Sequence, residues 1–244
     1  MREFDRDRED VIRRAANAGV ARIVTVGTTL SDCVKAAEIA QRHEGVYAAI
    51  GIHPHEVKSI GQATYDKLKV IASRSKVVAY GEIGLDFFRN LSPRKWQIKR
   101  FEEQLEVADA LGLPVVIHDR DAHRETVDAL KRWKGKKRGV IHCFSGDEAM
   151  ARECLDMGFY ISIPGTVTFD KNERLRSIVR LLPLTRLLVE TDCPYLTPVP
   201  NRGKRNEPSY VLYTARRVSE IKGLPFEEVA RVTTEGAKAL FGIG

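Results

Sequence analysis

Glu82, His118, His142 and Asp192 each stand at or just past the end of a short apolar run: V-V-A-Y-G-E, P-V-V-I-H, G-V-I-H and R-L-L-V-E-T-D. Carboxylates and imidazoles are the side chains that divalent cations accept as ligands. In a barrel of parallel strands, side chains at the carboxyl ends of the strands converge on one mouth. One glutamate, two histidines and one aspartate gathered there predict a divalent-metal centre, and hence hydrolysis. A lone buried histidine would be a packed core residue; four ligand-type residues at equivalent positions argue for a site.

The elements needed to gather them can be read along the chain. Apolar β-like runs recur near 22–28, 46–52, 77–83, 114–118, 139–143, 159–163 and 187–191, with helical periodicity between them. The clearest helix lies within 92–112, where Ser92 can cap, Pro93 suits the first position and Gly112 the left-handed end. Trp96, Ile98, Phe101, Leu105, Ala108 and Leu111 form its apolar stripe. Regular β-α alternation over 244 residues predicts one α/β domain, 1–244, with the fold of a TIM-type (β/α) barrel. Seven strands are legible, whereas closure takes eight. The chain opens on a helix with Phe4, Val11, Ile12 and Ala15 apolar, so the absent strand is the first. Residues upstream of Met1 are expected to supply it, because the runs at 22–28 and 187–191 otherwise lack their common neighbour.

No apolar stretch approaches the length of a membrane span, and the charged N-terminus lacks the apolar core of a secretory signal. Cys33, Cys143, Cys154 and Cys193 have no C-x-x-C spacing, which fits reduced thiols in a cytoplasmic protein. On a strand, Cys143 and Cys193 would face away from the adjacent His142 and Asp192. The net charge of +7 favours anionic partners, nucleic acid above all. A monomer is expected.

Six words in order, G-I-H-P-H-E (51–56), G-E-I-G-L-D (81–86), I-H-D-R-D-A-H (117–123), I-H-C-F-S-G (141–146), E-T-D-C-P-Y-L (190–196) and R-N-E-P (205–208), resemble the TatD family of metal-dependent deoxyribonucleases. The likeness spans essentially the whole chain. It implies an amidohydrolase-like barrel that binds one or two divalent ions (Mg²⁺, Mn²⁺ or Zn²⁺) and cleaves DNA phosphodiesters, often as a 3′-to-5′ exonuclease on single strands or 3′ ends. Carried over, Glu82 bridges two metal positions, His118 and His142 complete one, and Asp192 belongs to the other. Asp192 is also the candidate to orient or deprotonate the attacking water, so Glu82 and Asp192 are the catalytic pair.

Many relatives carry a further H-x-H pair on the first strand, and that strand is not in this chain. His53-Pro54-His55 is no substitute. It follows the third strand of a full barrel, and the proline should take it into a loop, so His53 and His55 are expected to line the substrate cleft.

Basic residues sort by barrel face, since the loops that follow strands lie on the catalytic side. The densest run, Lys131 to Arg138, precedes a strand and lies on the opposite side. Arg89, Arg94, Lys95, Arg120, Arg124, Arg202, Lys204 and Arg205 follow strands, with Arg120 and Arg205 the leading phosphate contacts. Ser145 and Gly146 form a turn that could approach a phosphate. Of Phe87, Phe88, Trp96 and Tyr195, Phe88 is the best base-stacking candidate and Trp96 is expected in the core. Two alternatives use the same residues: a metal-dependent ester or amide hydrolase such as an aminoacyl-tRNA deacylase, and a non-catalytic nucleic-acid-binding relative.

Overall fold

A computed structural model describes residues 2–244. All seven expected strands form, as β1 (Ile23–Gly27), β2 (Val46–Ile50), β3 (Val77–Asp86), β4 (Val115–Arg120), β5 (Gly139–His142), β6 (Tyr160–Ile163) and β7 (Leu187–Val189). They pair in parallel, in chain order. Helices α1 (Arg8–Asn17), α2 (Leu30–Arg42), α3 (Gln62–Ala72), α4 (Arg94–Leu111), α5 (His123–Arg132), α6 (Glu148–Asp156) and α7 (Glu173–Leu181) alternate with the strands, and α8 (Val211–Lys222) and α9 (Phe226–Phe241) close the chain. The sheet curls as in a TIM barrel, α/β in class, with β1 and β7 left as edges. Among the described residues no strand lies between those edges; Arg2–Phe4 form a 3-10 turn leading to α1.

Two packed layers follow from the strand alternation. Side chains such as Ile50, Ile83, Ile117, Ile141 and Ile161 pack outward under the helices. Ala49, Ala79, Val116, Val140 and Leu188 face the barrel axis, where Leu240 and Phe241 of α9 meet them. A cavity of about 450 Å³ remains inside, lined by Val24, Val26, Val140 and Leu188 and reaching Glu82, His142 and Asp192.

Three local readings need correction. In α4 the helix starts at Arg94, and Ser92 does not cap it; its hydroxyl donates to the His55 carbonyl at 2.7 Å. Gly112 does end the helix, at φ +66°. The buried face of α4 holds Gln97 and Gln104 beside Phe101, Leu105 and Ala108, while Trp96 is only half-buried, under Arg100. An apolar stripe does not announce two glutamines. They are seven residues apart, on one helical face, and they work as clamps. Gln104 bonds both backbone groups of Ile52 (2.9 and 3.0 Å), and Gln97 both of Asp86 (2.8 and 3.1 Å), fixing the outgoing ends of β2 and β3.

Candidate metal centre

Glu82 does not end β3, as its sequence context suggested, but lies inside it. The β3–β4 register shifts between Gly81 and Ile83, which makes Glu82 the bulged residue. A bulge re-aims one side chain at the cost of one ladder position. Two residues on, Gly84 has φ +143°, and a Cβ there would lie 2.0 Å from the His118 carbonyl oxygen. Glycine therefore lets β3 run close beside the strand that carries His118.

Glu82 Oε1 is the hub. His118 Nδ1 lies 2.5 Å away, His53 Nε2 3.7 Å and His142 Nε2 3.9 Å. His53, Glu82 and His118 each offer a ligand atom, all within 4.8 Å of one another, the spacing a single cation can span. The compact trio therefore contains His53, which the sequence reading had assigned to the substrate cleft. Pro54 does turn the chain, but only after His53. A residue before proline is held extended, and the His53 N–H still bonds Thr28 at 3.0 Å, prolonging the pairing of β2 with β1. His53 thus occupies a strand-end position like the others. His55 lies one step behind, its Nε2 2.8 Å from Asp86 Oδ2.

Asp86, buried and absent from the expected set, also meets His118 Nε2 at 3.3 Å and accepts the Arg89 N–H at 2.8 Å. It is the last residue of G-E-I-G-L-D. On the other side His142 Nδ1 meets Glu190 Oε2 at 2.8 Å, and its Nε2 lies 3.4 Å from Asp192 Oδ1. Asp192 is not on a strand: β7 stops at Val189, and Asp192 has φ +54° in the following loop.

Burial opposes every charge here, yet the ring–carboxylate pairs outweigh it in most cases. Burial would raise Glu82, but His142, His118 and His53 hold it far below the usual carboxylate range. Burial would lower His118, but Asp86 and Glu82 lift it to about 9. Burial also disfavours charge on His142, but Glu190 and Glu82 raise it well above the ordinary value. At His53 burial wins and lowers it to about 3, leaving a neutral ring that can present a lone pair. Asp192 is raised, chiefly by burial. Cys143 and Cys193 are free thiols whose pKa values burial raises.

The donor set fits a divalent cation. Four carboxylates face four imidazoles in a buried cluster, and Glu190 Oε1 is buried with no hydrogen-bond partner. An orphaned buried carboxylate oxygen calls for a cation or a donor. His118 lies between Glu82 and Asp86, which raise its pKa to about 9, so a metal that takes this ring at neutral pH must displace a proton. Affinity for Mn²⁺ is therefore expected to rise by about tenfold per pH unit for each proton displaced as pH climbs toward the His118 value of about 9, and to level off above it. Calorimetric titrations across that range test this; a pH-independent affinity would mean that no ring proton is released.

Arg205 was expected to face phosphate. Instead its guanidinium bonds Asp7 at 2.6 and 2.9 Å and the Glu3 carbonyl at 2.6 Å, over the Phe4 ring. The residue just before α1 supplies an acid the sequence could not pair with it. Arg120 ends β4, exposed and stacked 4.1 Å over the Phe88 ring, which is 60% exposed. Arg202 stacks similarly over Phe169, at 4.2 Å.

A curled parallel sheet with imidazoles and carboxylates gathered at its outgoing strand ends defines the class of metal-dependent barrel hydrolases. The TatD related DNase family model matches residues 1–242, and the chain belongs to this family. It is 44% identical to the "Uncharacterized metal-dependent hydrolase YabD" of Bacillus subtilis, over 99% of this chain and 95% of that protein. It is 38% identical to the "3'-5' ssDNA/RNA exonuclease TatD" of Citrobacter koseri, with the same coverage of each. Among solved structures, the TatD homologue YJJV from Escherichia coli superposes with a TM-score of 0.94 at 31% identity, covering 99% of this chain and 94% of that one.

Proposed function

We propose that this chain is a divalent-metal-dependent nuclease that hydrolyses phosphodiesters in nucleic acid, removing nucleotides from 3′ ends of single strands. The observation that carries the reading is the convergence of His53, His118 and His142 on Glu82 Oε1. The family and the exonuclease relative favour nucleic acid as substrate. The reading takes residues 1–244 as one hydrolase domain. It acts as a monomer, since one chain supplies every side chain the site uses, and in the cytoplasm, where four free cysteines would stay reduced. No helix among the described residues is long and apolar enough to cross a membrane.

His53, Glu82 and His118 would hold one cation, and His142 and Asp192 would offer further donors beside them. A bound divalent ion neutralises phosphate charge and lowers the pKa of water. The protein's own groups do the rest. Asp86 and Glu190 orient His118 and His142 from behind, as outer partners of metal-binding imidazoles do. Asp192, raised by burial, accepts a proton from the attacking water. Arg120 neutralises a backbone phosphate, and Phe88 offers an aromatic face for an unpaired base.

Replacing Arg120 by alanine is expected to weaken single-strand binding and flatten its salt dependence by about 0.7 in log–log slope, while Arg205→Ala leaves the slope unchanged. Fluorescence anisotropy of a labelled oligonucleotide in chelator, from low to moderate salt, measures both. An unchanged slope for Arg120→Ala would remove that contact. The reaction itself is tested by supplying a 5′-labelled single strand, the same strand in duplex, a 3′-blocked strand and an aminoacyl-tRNA. Stepwise shortening of the free single strand is expected. Release of amino acid with the oligonucleotide intact would assign the site to acyl transfer.

A further inference from the structure

Asp192 has φ +54°, in the left-handed region that L residues other than glycine enter uncommonly, Asp and Asn most often among them. The loop that carries it closes around Asn206, which is fully buried. Its Nδ2 donates to the carbonyls of Thr191 at 2.7 Å and Tyr195 at 2.6 Å. Its backbone N–H donates to the Pro194 carbonyl at 3.1 Å, and its Oδ1 accepts from the Glu207 N–H at 2.9 Å. The amide therefore spans the loop from the residue before Asp192 to the residue three after it. Within that span the Tyr195 N–H closes onto the Asp192 carbonyl at 3.0 Å.

The two neighbours of Asn206 point the other way. Arg205 pairs with Asp7, and Glu207 accepts from Arg14 of α1 at 2.6, 3.0 and 3.1 Å. One side of the turn is fastened to the N-terminal helical segment and the other grips the loop carrying Asp192. We propose that Asn206 is a positioning residue for Asp192, anchored to α1 through Arg205 and Glu207. The inference rests on the reading that Asp192 serves hydrolysis, and it gives the R-N-E-P word a role other than phosphate contact.

The test compares Asn206→Ala and Asn206→Asp with Asp192→Asn and with Lys222→Ala. Lys222, at the far end of α8, bonds the Arg180 and Leu182 carbonyls and serves as the stability control. Asn206→Ala is expected to lower kcat about ten- to a hundredfold, the scale of a misplacement of about 1 Å, with KM within about twofold. Hydrogen exchange in metal-free protein should quicken in residues 190–196. Asn206→Asp, which turns carboxylate oxygens on two carbonyls, should fall at least as far. Lys222→Ala should lose thermal stability while keeping kcat.

Wild-type kcat in Asn206→Asp, or a kcat loss in Asn206→Ala no greater than in Lys222→Ala at equal thermal loss, would overturn the proposal. Full kcat in Asp192→Asn would instead overturn the reading beneath it. Should Asn206→Ala fail to fold, Arg14→Ala removes only the half-exposed outer anchor. A kcat lowered about threefold or more at constant KM then supports the proposal, and an unchanged kcat refutes it.

Discussion

Glu82→Ala is expected to lose hydrolysis by roughly a thousandfold or more and to lose tight metal binding with it. Removing a mere outer partner of a metal ligand already costs ~10–100-fold. Glu82 is more than that: three imidazoles face its Oε1, at 2.5, 3.7 and 3.9 Å. Its removal takes away the one carboxylate the three rings share and leaves His118 only Asp86 and His142 only Glu190 and Asp192, in a pocket where burial already disfavours charge. The metal-free variant should still fold, because the outward core of Ile50, Ile83, Ile117 and Ile141 does not involve Glu82. Metal content after dialysis, circular dichroism and turnover would be measured on one preparation. Retained metal with full turnover would show that the cation is held elsewhere.

Asp192→Asn should lower kcat by about 10²–10⁴-fold, the usual scale for losing a positioned proton acceptor, with KM nearly unchanged. The substitution keeps the shape and the fit to the turn while removing the basicity that burial raises. His142 should then be the group most affected electrostatically, since its Nε2 lies 3.4 Å from Asp192 Oδ1. Single-turnover kinetics with excess enzyme separates the hydrolytic step from product release. A variant slowed equally in substrate binding and in turnover would place Asp192 in binding and not in proton transfer.

Much of this was legible because strand ends have strong local signals. All seven apolar runs became strands, and His118 and His142 fall within β4 and β5 near their outgoing ends. Glu82 was found without its bulge, because a register shift depends on the neighbouring strand and leaves no mark in the run itself. His53 was misjudged for a physical reason: proline breaks the strand after itself, but holds the preceding residue extended. Asp86, Glu190, Gln97 and Gln104 were missed because buried polar residues declare themselves only through their partners, which lie up to 52 residues away in sequence. The pairing of Arg205 was hidden on the same account, since Asp7 lies 198 residues from it. Local pattern reveals which face a strand end joins; it does not reveal which charges already have partners.

The most direct test of the central claim is restoration of metal-stripped protein with Mn²⁺ on a 5′-labelled single-stranded oligonucleotide, with nucleotide release and bound metal followed together. Release is expected to be absent in chelator, to rise in step with metal occupancy in the wild type, and to stay absent in Glu82→Ala at any metal concentration that leaves the protein folded. Nucleotide release that persists in chelator, or that Glu82→Ala shows at the wild-type rate, would contradict a metal-dependent nuclease centred on Glu82.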